Sequence, residues 1–583
     1  MKNSLYVLYL SLVICLFSAC DNILDQYPQS EVVPENSFKS ESELKLYING
    51  LLPMLNGSTS ESADNVVLKA FPDYMFNNRR ASDGGSWSWT SLRQINILLA
   101  YSNNCTDQEV RSKYNGMARF LRALFYFDKL KTFGGVPWYN QVLTEDSEEL
   151  YKPRDTRELI ADSILADLSY AIDKGVTDKK LNEITKWTAL ALKSRFCLFE
   201  GTFRKYHAIN GYEKFLNECV SASEQLRASG KYQIDMGDGT DVAYRDLFAQ
   251  PKTSNASDVE VITARGYSTE LGVKHSANYA VINLQGNRPG LEKQMIDSYL
   301  MKDGTRFTDK AGYEKMSFYE ETQDRDPRLA QTIRTPGYKR VNETALYGKF
   351  YELLYICSTG YMPIKYFAGR DSDPDNCNEN DVIVYRYAEV LLNLAEAKAE
   401  LGTITQADID NTITLIRKRV GMPSFKLADA NANPDNYLVN QYPLVAGSNK
   451  GAILEIRRER RIELALEEFR FDDMVRWKDG QQFVRQFKGA YFPGEGAYDL
   501  DGDGTNDVYL YSKTPGDWKG VISSGRLKLG SAVVLENGTY GNVVVNADKI
   551  SQKVWDENKD YLYPIPTQAI VLNPKLEQNP GWE

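Results

Sequence analysis

Residues 116–138 read GMARFLRALFYFDKLKTFGGVPW. Phe120, Ala123, Leu124, Phe127 and Leu130 recur at three- and four-residue steps, the period of one helix face. Gly134, Gly135 and Pro137 then stop the pattern, because glycine tolerates the left-handed turn after a helix and proline cannot continue it. Thr106 with Glu109 has the spacing of a capping box upstream. Arg122, set among Phe and Leu, reads as an ion-pair partner that holds the fold. The same grammar repeats along the chain. A helix is predicted from Asp155, with Ile160, Ile164, Leu168 and Ile172 on one face and a stop near Gly175. Another starts at Thr185 and carries Ala189, Leu192, Phe196 and Phe199. A further one carries Phe215, Cys219, Ala222 and Leu226 and ends at Gly230. Later, Ala388, Leu391, Leu392, Ala395 and Ala399 form a stripe up to Gly402. Thr405 with Asp408 opens the next helix, with Ile409, Ile413, Ile416 and Val420 inside. These are helix–turn–helix units of tetratricopeptide-repeat size without the repeat's consensus residues.

Between the helical blocks the texture changes. Residues 57–90, 231–380 and 485–550 are rich in Gly, Asn, Asp and Tyr with short apolar runs. They read as long loops with a few strands; long irregular segments of a compact protein are usually functional or disordered, and the aromatic content here favours order and a binding surface. Composition narrows the classes. The 583 residues are 42% hydrophobic and 25% charged, with 69 basic and 79 acidic residues and a net charge of −10. That balance argues against nucleic-acid binding, which needs a basic footprint. Two histidines exclude chemistry built on several histidine ligands.

The first residues, MKNSLYVLYLSLVICLFSAC, are an address. Lys2 precedes an apolar stretch too short to span a bilayer, and Ser18-Ala19 stand at a cleavage position. Small residues directly before Cys20 resemble a bacterial lipobox, with Phe17 where Leu is usual. Residues 1–19 are thus read as a lipoprotein signal peptide and Cys20 as the lipidated first residue; an ordinary signal peptide with a chance cysteine is the alternative. The mature chain is divided into 20–230, with helix pairs and a candidate ligand loop, and 231–583. The latter comprises loops and strands at 231–380, helices at 385–480 and a loop-rich tail at 481–583. Seven cysteines in the whole chain, scattered and without CxxC, are no disulfide framework. Cys197 and Cys219 lie on neighbouring predicted helices, where pairing and burial as free thiols are both open.

Seven blocks in order resemble the SusD/RagB family of outer-membrane nutrient-binding lipoproteins. They are CDNILDQYP at 20–28, the stretch at 116–138, DSYLMKDG at 297–304, RDPRL at 325–329, YRYAEVLLNLAEAKAELG at 385–402, RRERRIELALEEFRFDDMVRWKDG at 457–480 and YPIPTQAIVLNPKLEQNPGW at 563–582. The resemblance implies a mainly α fold: a TPR-like scaffold of helical pairs with an irregular, loop-rich lobe and a few short strands. It implies an outer-membrane, surface-facing, lipid-anchored binder without catalysis, which captures a glycan and delivers it to a SusC-type TonB-dependent transporter. Peptide capture in the manner of RagB is the alternative, with a secreted glycosidase behind it. No GxSxG, HExxH or P-loop pattern is present. Within 455–470, Glu455/Arg458, Arg460/Glu463 and Glu467/Arg470 are spaced for i,i+3 pairs on a solvated or interhelix face. Asp324-Arg325-Asp326-Pro327 reads as a turn and cap.

A sugar offers flat C–H faces and a rim of hydroxyls, which aromatic planes and paired polar side chains satisfy. The segment FPDYMFNNRRASDGGSWSWTS at 71–91 holds both at high density. Asp73, Tyr74, Asn78, Arg79, Arg80, Asp83, Trp87 and Trp89 are the ligand candidates. Trp87 is the preferred platform, and Trp89 precedes Leu92, Ile95 and Leu98 at helical spacing. Tyr267 and Tyr366 are secondary. Residues 499–507, DLDGDGTND, alternate Asp499, Asp501, Asp503 and Asp507, with Gly504 for a tight turn and a Thr505 carbonyl. Hard oxygens at that spacing suit a structural Ca2+, although Leu510 occupies the place of the bidentate Glu of an EF-hand and a solvated acidic turn is the alternative.

Overall fold

A computed structural model describes residues 34–76, 78–82, 86–250 and 257–582. Residues 1–19, read from the sequence as a signal peptide, Cys20 and Asp83 lie outside the described residues.

Nine principal helices among the described residues build the frame: α1 (Glu41–Leu51), α2 (Thr90–Tyr101), α3 (Gln108–Phe133), α4 (Arg157–Lys174), α5 (Lys186–Tyr206), α6 (Tyr212–Ala228), α7 (Tyr387–Glu400), α8 (Lys450–Glu463) and α9 (Arg470–Arg476). α3 packs on α4 across the segment 134–156, and α5 packs on α6 across the short turn 207–211. α7 packs on both α5 and α6, α8 on α7, and α9 returns to α5. The fold is mainly α, with helical pairs as the scaffold. The strands are short: β1 (Val66–Val67), β2 (Val261–Arg265), β3 (Gly290–Leu291), β4 (Val382–Arg386), β5 (Lys488–Phe492), β6 (Gly496–Tyr498), β7 (Val508–Tyr511), β8 (Arg526–Lys528) and β9 (Gly541–Val544). They pair as β1–β3, β2–β4, β5–β9 and the three-stranded β6–β7–β8. No helix among the described residues is long and apolar enough to cross a membrane.

The apolar residues form two clusters. The larger joins α1–α9 to the tail, with Phe120, Leu130, Phe196, Leu391 and Ile565 at no measurable exposure. The smaller gathers residues from 244–367 and the β5–β9 region, including Tyr244, Leu291, Tyr361 and Leu510. Chain order and core membership therefore cross. β4 delivers the chain back to the helical frame at Tyr387, and the tail crosses it again after β9.

Local signals set the helix ends, with three shifts. α3 is capped by Asp107, whose carboxylate accepts from the Glu109 and Val110 amides, so Thr106 stands one residue outside. α4 is capped by Thr156 rather than Asp155, because the Asp155 carboxylate is occupied by the Trp138 amide and Lys152. The helix read through 405–420 breaks at Asn411–Thr412, where Thr412 takes φ −130° and ψ −85°. Thr185 and Thr405 form the capping boxes that open α5 and the helix at Gln406–Asp410. Asp326 caps Pro327–Thr332, as its turn suggests. Gly134 ends α3 at φ +74°, a left-handed position that costs glycine little. Arg122 holds Asp167 of α4 in a two-pronged bond, at 2.7 and 2.8 Å. Cys197 and Cys219 are buried free thiols.

The charged run at 455–470 departs from the local reading. Every residue of α8 from Gly451 to Glu463 is buried. Of the three spaced pairs only Glu455–Arg458 forms, at 2.8 Å. Arg460 instead holds Asp473, Glu467 accepts from Lys365 and Arg386, and Arg470 forks onto Asp64. Glu463 receives Arg386 at 2.7 Å, Arg419 at 3.0 Å and Arg328 at 3.1 Å. The reason is that helical spacing selects partners only on a solvated face. α8 is surrounded, so guanidinium groups from other elements reach its carboxylates first. The helix also ends at Glu463, and Leu466 and Glu468 adopt left-handed φ, which takes Glu467 and Arg470 off any common helix. The three arginines hold Glu463 against its desolvation, down to about 2 from an ordinary 4.5.

Candidate functional site

The loop at 71–82 is fixed to the tail of the chain. Phe71 packs edge-on to Phe487, and Tyr74 is edge-on to Phe471 and Phe483 at 4.9 and 5.0 Å. The Tyr74 hydroxyl donates to the Ser62 carbonyl. The Met75 carbonyl accepts from the Val554 amide and the Ala81 carbonyl from that of Thr567. Arg79 is 8% exposed. It donates to Asp560 Oδ1 at 2.7 Å and lies over the rings of Tyr563 and Trp582 at 4.5 and 5.4 Å. A charge in a polar loop thus serves as the rivet between residues 481 positions apart.

This riveted loop forms one wall of a cavity of about 750 Å3. Asp73, Tyr74, Arg79 and Arg80 line it; Asn78, Trp87 and Trp89 are not among its lining residues. Asn78 is exposed and its amide donates to the Asp73 carbonyl. Trp87 is half-buried, edge-on to Trp89 and Phe133 at 5.4 and 4.9 Å. Trp89 precedes α2, accepts from the Arg93 amide and packs among Phe125, Tyr126 and Tyr139. The two tryptophans therefore form a surface aromatic cluster beside the loop. Tyr366 is buried in the second core, and Tyr267 packs on His275.

The opposite walls carry charges that no local pattern assigned to a site. Asp128 and Lys131 come from α3, Arg195 from α5, Glu468 from the turn after α8 and Asp472 from α9. Lys131 Nζ stands 2.8 Å from Asp472 and 3.5 Å from Asp128. Arg195 is occupied by a two-pronged bond to Glu389, at 2.6 and 2.7 Å, and by the Val384 carbonyl. Desolvation raises the Asp128 carboxyl above its usual range, with Asp472 adding repulsion. Glu468 is raised for the same two reasons. Lys131, flanked by both aspartates, is held charged. The one sequence signal for this wall was the polar pair Asp128-Lys129 interrupting an apolar helix. A cavity of this size, with carboxylates, an ammonium and hydroxyls on its walls, orients a polar ligand through directional bonds.

A second polar site lies at the tip of the β6–β7 turn. Carboxylate oxygens of Asp499, Asp501 and Asp507 fall within 4.8 Å of one another. Asp499 also accepts from the Gly502 and Gly504 amides at 2.6 and 2.8 Å, and Gly504 takes φ +84°. Asp503 accepts from the Thr505 amide and stands outside the trio. Burial and the neighbouring aspartates push Asp507 up to about 6.

Residues 253–582 match the SusD family. The chain belongs to that family. A SusD-like protein of Bacteroides ovatus is 23% identical over 100% of this chain and 98% of its own length. A SusD-like protein of Formosa agariphila is 22% identical over 82% and 91% respectively. Among solved structures, a SusD-like carbohydrate binding protein of Bacteroides fragilis superposes with a TM-score of 0.67 at 23% identity, covering 93% of this chain and 99% of that one. A second SusD-like protein of B. fragilis gives 0.66 at 22% identity, over 93% and 98%. The shared architecture is the helical-pair scaffold, and the cavity lies where that scaffold meets the loop at 71–82 and the tail.

Proposed function

We propose that this SusD-family protein captures an oligosaccharide at the cell surface and passes it intact to a SusC-type TonB-dependent barrel, held at the outer membrane by a lipid on Cys20. The observation that carries the reading is the cavity of about 750 Å3 walled by a pre-formed polar loop. Its dimensions suit several sugar units, and the rivet at Arg79 lowers the ordering cost of binding. The carbohydrate binding named for the B. fragilis structure supports it. The ligand is oriented by hydrogen bonds and then released, with no bond broken. The test is isothermal titration against an oligosaccharide panel with wild-type protein and Asp73→Ala. Binding of at least one oligosaccharide, weakened by the variant, is the expected result. A panel that fails throughout, with a peptide panel that binds, would replace glycan by peptide capture. Metabolic labelling with palmitate, lost in Cys20→Ala, tests the anchor.

A structural Ca2+ at Asp499, Asp501 and Asp507 belongs to the same proposal. A divalent ion there would offset the burial and the neighbouring aspartates that raise Asp507.

A further inference from the structure

Every ring on the wall of the larger cavity already lies against another ring or a guanidinium, as Tyr74 does against Phe471 and Tyr563 under Arg79. A sugar's C–H face needs a plane that is free. One stands in a neighbouring pocket of about 390 Å3. The segment 57–63 divides the two: Gly57 and Ser58 line the cavity, Thr59 and Ser60 line the pocket, and Glu61 and Ser62 line both. Tyr279, on the short helix Ala277–Ile282, lines the pocket and is half-buried. Among the described residues its ring meets no other ring and no cation. Tyr366 and Phe367, which also line the pocket, pack edge-on to Phe248 and Tyr347.

The rim of this pocket is polar and uncharged. The hydroxyls of Thr59, Ser60, Ser62 and Tyr279 and the side-chain amide of Asn287 make no hydrogen bond among the described residues, and Ser60, Ser62 and Asn287 are exposed. The charged side chains of the lining are turned into the protein. Lys365 is fully buried and donates to Glu467 and to the Ala465 carbonyl. Glu61 is 3% exposed and accepts from the Leu466 amide.

We propose that this pocket is a second sugar compartment, in which Tyr279 stacks on a neutral sugar unit, and that the captured glycan is a linear chain long enough to cross the ridge at 58–62 from the cavity. The inference rests on the glycan reading and specifies the length and charge of the chain. Hydroxyls and an amide without partners supply the donors and acceptors that sugar hydroxyls match. A uronic acid or an amino sugar would meet no counter-charge on this rim and would lose hydration on entering. The ridge is held in place from below, because the Ser62 carbonyl accepts from the Tyr74 hydroxyl and Glu61 from the Leu466 amide, so little ordering is left for binding to do.

The test is isothermal titration with oligosaccharide ladders of two to eight sugar units: glucan, xylan and mannan ladders as the neutral arms, oligogalacturonate and chitosan ladders as the charged ones. On a neutral ladder that binds, affinity should rise with length by about tenfold as the second compartment fills, the scale of one buried aromatic contact. Tyr279→Ala should remove that rise and leave the shortest binding member unchanged, whereas Tyr279→Phe keeps the plane and should keep the rise. Ala280→Trp, at an exposed position lining the pocket, should fill the compartment and also remove the rise. Asp73→Ala, on the wall of the larger cavity, should weaken every length alike. Affinity that is flat with length, a rise that survives both Tyr279→Ala and Ala280→Trp, or an equal loss at every length in Tyr279→Ala overturns the second compartment while glycan capture stands. A charged ladder that gains more with length than the neutral ones overturns the neutral assignment. Absence of binding to every ladder overturns both readings.

Discussion

Arg79 separates two roles that one residue in a cavity-lining loop can have. Its side chain is 6% exposed and that of Asp560 is fully buried, with the pair at 2.7 Å. Arg79→Gln leaves the Asp560 carboxylate inside the protein with the Asp556 amide as its other donor. Removing one member of such a pair costs about 3–5 kcal/mol, because the partner keeps its desolvation without its counter-charge. Loss of the guanidinium over Tyr563 and Trp582 adds about 0.5–1 kcal/mol. Unfolding entropy grows by about 2.1 cal/mol/K per residue, so a chain of this length melting as one unit has roughly 1.2 kcal/mol/K. The expected fall in Tm is therefore about 3–5 °C, read by scanning calorimetry. Ligand affinity should fall too, because the loop wall loosens, and Arg79→Lys should recover part of the Tm by restoring the charge without the fork. A variant that melts within 1 °C of wild type and yet loses its ligand would refute the rivet and make Arg79 a direct contact.

Four further outcomes follow from the geometry. Glu463→Gln should destabilise by about 3 kcal/mol, the equivalent of its descent from 4.5 to about 2. Since its folded value is depressed, that contribution is complete above about pH 4.5 and disappears as pH falls toward 2, so the Tm gap to wild type should be constant from pH 5 to 7; a gap that changes across that range would contradict the assignment. Calcium at millimolar concentration should raise Tm, and Asp507→Asn should abolish the rise; a calcium-independent Tm would remove the ion from the loop. Trp87→Ala should weaken glycan binding by less than tenfold, given that Trp87 is not on the cavity wall; a complete loss would move the platform from the cavity to the Trp87–Trp89 cluster. Cys197→Ser should leave migration on a non-reducing gel unchanged, whereas a shift would reveal a bond that the buried free thiols do not form.

The helical frame was legible because its signals are local. Thr185, Thr405 and Gly134 act on residues within four positions, and the apolar stripes of α3, α5 and α7 face inward as their period requires. The density of rings and charges at 71–82 singled out a loop that lines the cavity. The roles of its residues were not legible: ring faces that suit a sugar suit another ring equally, so Tyr74 went to Phe471 and Phe483 and the two tryptophans went to one another. The charged wall was least legible. Lys131 and Asp472 meet across 341 residues, and nothing in either neighbourhood encodes the other.

The buried charges of α8 and the charges of the cavity are connected. A frame whose interior carries Glu463, Glu396 and Asp64 must supply guanidinium groups in fixed places: Arg476 and Arg470 fork onto Glu396 and Asp64, and Arg386 reaches Glu463 with one prong while forking onto Glu467. Such groups position their neighbours more tightly than apolar packing does, since a bidentate bond fixes an angle as well as a distance. The first turn of α7, the turn after α8 and the first turn of α9 line the cavity, so Glu389, Glu468 and Asp472 are presented beside elements whose registers these buried pairs lock. The interior arginines are consumed by interior carboxylates, and on the cavity wall Asp128 and Asp472 share Lys131. On this reasoning the selectivity of the cavity is a consequence of how the core was neutralised: adding a cation to the wall, as in Glu468→Lys, should alter ligand preference with little effect on Tm, because Glu468 is exposed and has no ion pair within 4 Å among the described residues.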